Sequence, residues 1–258
     1  MKPILFATAR SGSTVIAELL GKITMDLWNG KGYLGEVFSI WPDTPNSLIE
    51  DSTGLTLHYG GLGFDTTNCE WRSREINNRI EVLKGHPDYL VKILADQYHP
   101  CMHQWIKGEK DVIFLERRNK LNQLLSLMSM LTPGHPPHFK INDNAKVNQI
   151  LYEPEHVETL LRQLDYYENL RNTFDGPVLY YEDWQVLGSN EEALCKMLNL
   201  DNYLGMVGKA GLNFKETPYL DDPEKLIINQ SDWINDRPYI IDKLKKYETS
   251  VNCNSQIG

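Results

Sequence analysis

The chain has no apolar stretch approaching the roughly 18 residues that a membrane span requires. Its first apolar run, Ile4 to Ala7, is interrupted at Arg10, so no signal peptide is expected. Cysteine is scarce: Cys69, Cys101, Cys195 and Cys253 lie far apart and form no C-x-x-C pair. Neither a structural zinc site nor a disulfide framework is expected, and scattered free thiols fit a reducing compartment, so the expected location is cytoplasmic. Basic residues are in deficit, 26 against 35 acidic, for a formal net charge of −9. That sign opposes non-specific attraction to nucleic acid or to anionic membranes. It leaves room for a small anionic ligand, which needs only local cations and backbone amides. The pattern G-x-x-x-x-G-K-[ST] is absent, as are internal repeats and low-complexity tracts.

What is present is ordinary for a globular protein: 41% hydrophobic and 24% charged residues in 258. That length suits one domain spanning residues 1–258, with a core that needs no covalent staple. Pro3 to Thr8 reads as a buried strand. Val15, Ile16, Leu19, Leu20 and Ile23 then share one helical face, which Ser11 or Ser13 is placed to cap. The stretch from Asn29 to Gly63 is rich in turn formers and predicts loops and short elements. Trp71–Leu83 reads as a helix, Tyr89–Leu94 as a strand with Lys92 embedded, and Asp96–Ile106 as a helix. Asp111–Leu115 is the clearest strand, followed by a helix over Asn119–Leu131 with Leu121, Leu124, Leu125 and Met128 inward. Three prolines and a glycine exclude regular structure from Thr132 to Lys140. Pro154–Phe174 predicts a long helix, Pro177–Tyr181 a strand and Glu191–Leu200 a helix. Strands alternating with helices imply an α/β fold, a central mainly parallel sheet flanked by helices in three layers. Ligands in such folds sit beyond the carboxyl ends of the strands.

Those strand ends carry the charge. The first delivers Thr8-Ala9-Arg10-Ser11-Gly12-Ser13-Thr14, the second Lys92, the third Glu116-Arg117-Arg118-Asn119 with Ser126 in the helix behind, and the fourth Tyr181-Glu182-Asp183. Three of these four bring cations to one predicted rim of an acidic protein. Gly12 tolerates unusual dihedrals, and the amides of Ser11 to Thr14 lie at a helix start, where the dipole favours an anion. Guanidinium groups such as Arg117 and Arg118 match phosphate oxygens bidentately. Each feature also has a plainer explanation: a serine-capped helix start, or surface arginines in weak ion pairs.

A-T-A-R-S-G-S-T followed by an apolar helix resembles the 5′-phosphosulfate loop of sulfotransferases that use 3′-phosphoadenylyl sulfate (PAPS). V-I-F-L-E-R-R-N-K-L-N-Q-L-L-S is similar to their 3′-phosphate motif, an arginine and a serine eight residues later, here Arg118 and Ser126, with Arg117 in that role one register away. V-L-Y-Y-E-D-W resembles the family's Tyr-Glu-Asp strand end, which implies Tyr181 against adenine. The resemblance covers the sheet core and implies a P-loop-like fold. G-Y-L-G-E-V-F, residues 32–38, resembles the bacterial branch that includes trehalose sulfotransferase and implies Glu36 as the base. Lys92 matches a strand lysine of the family. The cytosolic branch has a histidine two residues beyond that lysine, where this chain has Leu94, and a lysine in the first loop, where this chain has Arg10. Lys225 is a weak match to the family's late basic loop.

The resemblance therefore implies PAPS as sulfuryl donor, PAP as product, no metal, and a small-molecule or carbohydrate hydroxyl as acceptor. Arg10, the loop amides and Lys92 would stabilise the departing 5′-phosphate, with Glu36 taking the acceptor's proton. Without the resemblance, Glu36 reads as a solvated loop carboxylate. His135 and His138 lack the company of metal-ligand side chains. Trp28, Trp41 and Trp71 are stacking candidates for a sugar, and Met128 and Met130 read as core or flank. Two other readings fit the same opening motif: a nucleotide-dependent kinase and a non-catalytic PAP-binding module.

Overall fold

The computed structural model describes residues 3–28, 32–39, 47–50, 56–59, 69–85, 89–132, 150–200 and 227–248. The loop expected from Thr132 to Lys140 lies almost wholly outside the described residues, as do His135, His138, Trp41 and Lys225. The chain divides into two compact units. One joins Met1–Glu116 to Asp165–Asn213, and the other joins Arg117–Leu164 to Phe214–Gly258.

The first unit is built on a five-stranded parallel sheet. Strands β1 (Pro3–Ala7), β2 (Gly32–Tyr33), β5 (Tyr89–Leu94), β6 (Asp111–Glu116) and β8 (Val178–Tyr180) lie in the order β2-β5-β1-β6-β8. Leu5 pairs with Lys92 on one side and Ile113 on the other, so β1 is central. The fold is α/β, with helices α1 (Ser13–Trp28), α2 (Cys69–Gly85), α3 (His103–Glu109), α6 (Tyr181–Val186) and α7 (Glu191–Met197) around the sheet. A separate antiparallel pair, β3 (Ser47–Glu50) and β4 (Thr56–Tyr59), sets Leu48 opposite His58.

Strand alternation divides the core cleanly. Ile4, Phe6, Val91, Ile93, Val112 and Phe114 face α2, α3 and the carboxyl-terminal half of α5 (Pro154–Thr173). Leu5, Ala7, Leu90, Leu94, Ile113 and Leu115 face α1, α6 and α7. Phe6 stacks between Phe114 and Phe174, each ring centroid 5.7 Å from its own. Burying each such side chain stabilises the fold by about 1.5–3 kcal/mol.

The chain leaving β1 next joins the sheet on the β5 side, and the chain leaving β6 rejoins it at β8, on the other side. The carboxyl ends of β1 and β6 thus form a topological switch point, where open α/β sheets provide a crevice.

Two elements differ from expectation. The helix expected over Asp96–Ile106 is instead two short 3-10 turns, Ala95–Gln97 and Pro100–Met102, with α3 starting only at His103. Pro100 is the cause: it holds His99 extended, at φ −133° and ψ 143°, which breaks a continuous helix. The strand expected through Tyr181 ends at Tyr180, and Tyr181 begins α6.

The second unit packs α4 (Lys120–Leu131), the amino-terminal half of α5 and α8 (Gln230–Lys245) with a short parallel pair, β7 (Ile150–Leu151) and β9 (Ile227–Ile228). Its core contains Leu124, Met128, Leu160, Leu164, Trp233, Ile240 and Leu244. The Thr132 hydroxyl donates to the Met128 carbonyl and accepts from the Leu151 amide, which ties the end of α4 to β7. Among the described residues no helix is long and apolar enough to cross a membrane.

Candidate functional site

The passage from β1 into α1 is tight because two residues in three adopt positive φ: Arg10 at 61° and Gly12 at 84°. Left-handed backbone costs a non-glycine residue about 1–3 kcal/mol, so Arg10 is held there by its surroundings. Thr8 and Ser11 are buried beneath the turn, and the Ser11 hydroxyl donates to the Thr8 carbonyl over 2.7 Å. Ser11 thus fastens the turn to the strand end. The Ile16 amide bonds the Gly12 carbonyl, so Ser13, Thr14 and Val15 form the open first turn of a 16-residue helix.

Gly12 is required for a reason the sequence did not disclose. A Cβ there would run into the ring of Tyr181. That ring is buried, packs with the cluster around α1 and meets Trp184 at 5.6 Å between centroids. Tyr181 and the Arg10–Thr14 turn are therefore neighbours, as the strand-end argument expects.

Lys92 lies between Leu90 and Leu94 on the α1 face of β5, a position that otherwise carries leucine. It is 1% exposed. A buried ammonium is costly unless paired, and its partners are specific. Its Nζ contacts Glu36 Oε1 at 2.7 Å and donates to Thr14 Oγ1 at 3.1 Å. The Tyr33 ring lies 5.8 Å away. One side chain thus links the sheet, the first turn of α1 and the segment after β2.

Glu36 is about a quarter exposed at its side chain, at 26%. Its other oxygen, Oε2, accepts from Gln97 Nε2 at 2.9 Å. Its segment is pinned on both sides: the Ser39 amide bonds the Glu36 carbonyl, and the buried guanidinium of Arg79 donates to the Val37 carbonyl. Arg10, Ser11, Gly12, Ser13, Thr14, Glu36, Lys92 and Tyr181 all belong to the first unit. Leu94, two residues beyond Lys92, is a buried core residue.

Arg117, Arg118 and Ser126 belong to the second unit. The two arginines follow β6 directly in the chain and are half-buried. Asn119 caps α4 by accepting from the Asn122 amide at 2.9 Å. Lys120 is buried and folds back to donate to the Arg117 carbonyl. Ser126 is half-buried and shares a helix face with Asn119 and Asn122 by i, i+3 and i+4 spacing.

Two features escaped the sequence. Gln97, wholly buried, holds Glu36 from a 3-10 turn that no periodic pattern announces. Glu116, at the end of β6, is also buried and pairs with Arg171 at 3.1 Å. Burial, and secondarily the Glu116 charge, hold the Tyr167 hydroxyl well above its ordinary pKa. The signal for this pair was the acidic residue ending an apolar strand, but its partner is 55 residues away.

Elsewhere in the second unit a cavity is lined by Tyr152, Glu153, Asn229, Asp232 and Asp236. Its acidic lining has the wrong sign for an anion. No protein-family model matches the chain, and no curated protein matches it.

Proposed function

We propose that the protein is a sulfotransferase that moves a sulfuryl group from PAPS to a hydroxyl acceptor, a carbohydrate or small metabolite, without a metal. The observation that carries this reading is the buried Lys92, paired at once with Thr14 in the α1 turn and with Glu36. A cation, a hydroxyl and open helix amides suit the 5′-phosphosulfate end of the donor. A carboxylate adjoins them on the same lysine.

In the transfer, the bond between sulfur and the 5′-phosphate oxygen breaks as sulfur bonds to the acceptor oxygen. The acceptor's proton passes to Glu36. Charge grows on the leaving phosphate, where Arg10, the turn amides and Lys92 offset it. Base assistance by Glu36 would contribute about 10²–10⁴-fold. Arg118 and Ser126 would hold the 3′-phosphate, with Arg117 beside them, and Tyr181 would lie against the adenine. These roles rest on the resemblance together with the chain positions of the residues.

The test is a thermal-shift titration with PAP, followed by an acceptor screen using labelled sulfate. Binding of PAP without magnesium, and turnover that Glu36→Gln lowers while sparing PAP affinity, would support the reading. Binding of ATP only with magnesium would indicate a kinase instead. Normal PAP binding with no transfer to any acceptor would indicate a binding module.

A further inference from the structure

We infer that Gln97 is a positioning residue, one that holds the Glu36 carboxylate in place to receive the acceptor's proton. The inference rests on the sulfotransferase reading for the identity of that proton, but its geometry stands independently.

Gln97 is 0% exposed, and both ends of its amide are engaged. Its Oε1 accepts from the Leu94 amide at 3.0 Å, directly after β5. A backbone N–H only donates, so the atom facing it must be the oxygen, and the network fixes the amide's orientation. The NH2 group then faces Glu36 Oε2 at 2.9 Å, where it donates. Lys92 donates to Oε1 from within β5. Each carboxylate oxygen is therefore gripped by one donor from β5 or the turn after it.

This arrangement matters because Glu36 sits on an irregular segment, not on a strand or helix. A base on a loop gains precision when groups on a rigid element fix its rotamer. Gln97 transmits the rigidity of β5 to Glu36. As a neutral donor it does so without adding a second charge to compete with Lys92.

Gln97→Glu separates this role from mere packing. It retains an oxygen for the Leu94 amide but presents a second carboxylate to Glu36. Gln97→Met retains the bulk and removes both hydrogen bonds. The first readout needs no activity: titration of the Glu36 carboxyl carbon by NMR with labelled glutamate, assigned through Glu36→Gln. In Gln97→Met the Glu36 midpoint should rise, because a hydrogen bond to the charged carboxylate is lost. An unmoved midpoint in a folded Gln97→Met protein overturns the inference, whatever the enzyme does. The second readout is turnover. Both variants should lower kcat at least tenfold and leave PAP affinity within threefold, with the acid limb of the pH profile displaced upward in both. Full kcat in Gln97→Met would overturn the positioning role. Should the wild type neither bind PAP nor transfer sulfate, the proposed function fails, and the NMR result still decides whether Gln97 holds Glu36.

Discussion

Two passages in this protein run from a strand through arginine into a helix, and they are built differently. Between β1 and α1 the chain turns on two positive-φ residues, Arg10 and Gly12, and the Ser11 hydroxyl ties the turn back to Thr8. Between β6 and α4 the chain turns on side chains: Asn119 caps the helix and Lys120 folds back onto the Arg117 carbonyl. The first passage leaves its helix amides open and sets a buried lysine beside them. The second spends the Asn122 amide on its own cap, so its appeal to an anion rests on the guanidinium groups and Ser126. Under the proposed function the first suits the reacting phosphosulfate, and the second suits the spectator 3′-phosphate.

The largest expected effect that would break this contrast is at Lys92. Lys92→Met should reduce turnover by at least 10²-fold, the scale on which a stabilising charge acts in a transition state. Circular dichroism should show the fold retained, because a buried apolar chain between Leu90 and Leu94 suits the site. Near-normal turnover would remove the first passage from the chemistry.

Next come the arginines. Arg118→Ala should weaken PAP by about 10–100-fold, the worth of a charged hydrogen bond of ~1.5–3 kcal/mol. It should leave adenosine 5′-phosphosulfate, which lacks the 3′-phosphate, almost unchanged. Arg10→Ala should weaken both ligands alike. Calorimetry on the two ligands measures this, and equal losses in both variants would erase the division of labour.

Stability sharpens the comparison further. Gly12→Ala should cost about 1–3 kcal/mol, since it strains a φ of 84° and drives a Cβ into the Tyr181 ring. Asn119→Ala should cost about 1 kcal/mol, the usual loss of a helix cap. Urea midpoints should rank them in that order, and the reverse order would contradict the account of the two turns.

These expectations show where the sequence was readable. The strands at Pro3–Ala7, Tyr89–Leu94 and Asp111–Glu116 stand out because central parallel strands are apolar on both faces. Lys92 was visible for the same reason, as a charge interrupting such a run. The helix expected over Asp96–Ile106 is absent because Pro100 holds His99 extended and so overrides the apolar spacing. Gln97 lay within that stretch, and its contact with Glu36 spans 61 residues of chain. No local pattern encodes such a meeting; only the pairing of β2 with β5 brings it about. The depth of Tyr181 against Gly12 was hidden likewise, because the sequence gives the order of the strands but not the approach of one ring to one glycine.

The smallest expected effect is on pH, and it touches both units. His156, 6% exposed in the second unit, has its pKa lowered by burial, against partial opposition from Glu153 and Glu155. His99 in the first unit is lowered by burial and by Arg72, and its Nδ1 accepts from the Cys101 amide. Both groups bind protons less readily folded than unfolded. The unfolded state therefore gains protons first as pH falls below about 6.5, and stability is lost through that range. Urea midpoints between pH 7.5 and 5.5 should decline, and His156→Gln should flatten the decline. An unchanged slope would assign the acid sensitivity elsewhere.

The central claim is that the open turn and the buried lysine of the first unit serve an adenosine bisphosphate. Calorimetric titration of PAP into the intact protein, with a chelator present, tests it most directly. Saturable binding that Arg10→Ala and Lys92→Met both weaken is the predicted result. Absence of PAP binding, or binding indifferent to both substitutions, would contradict it.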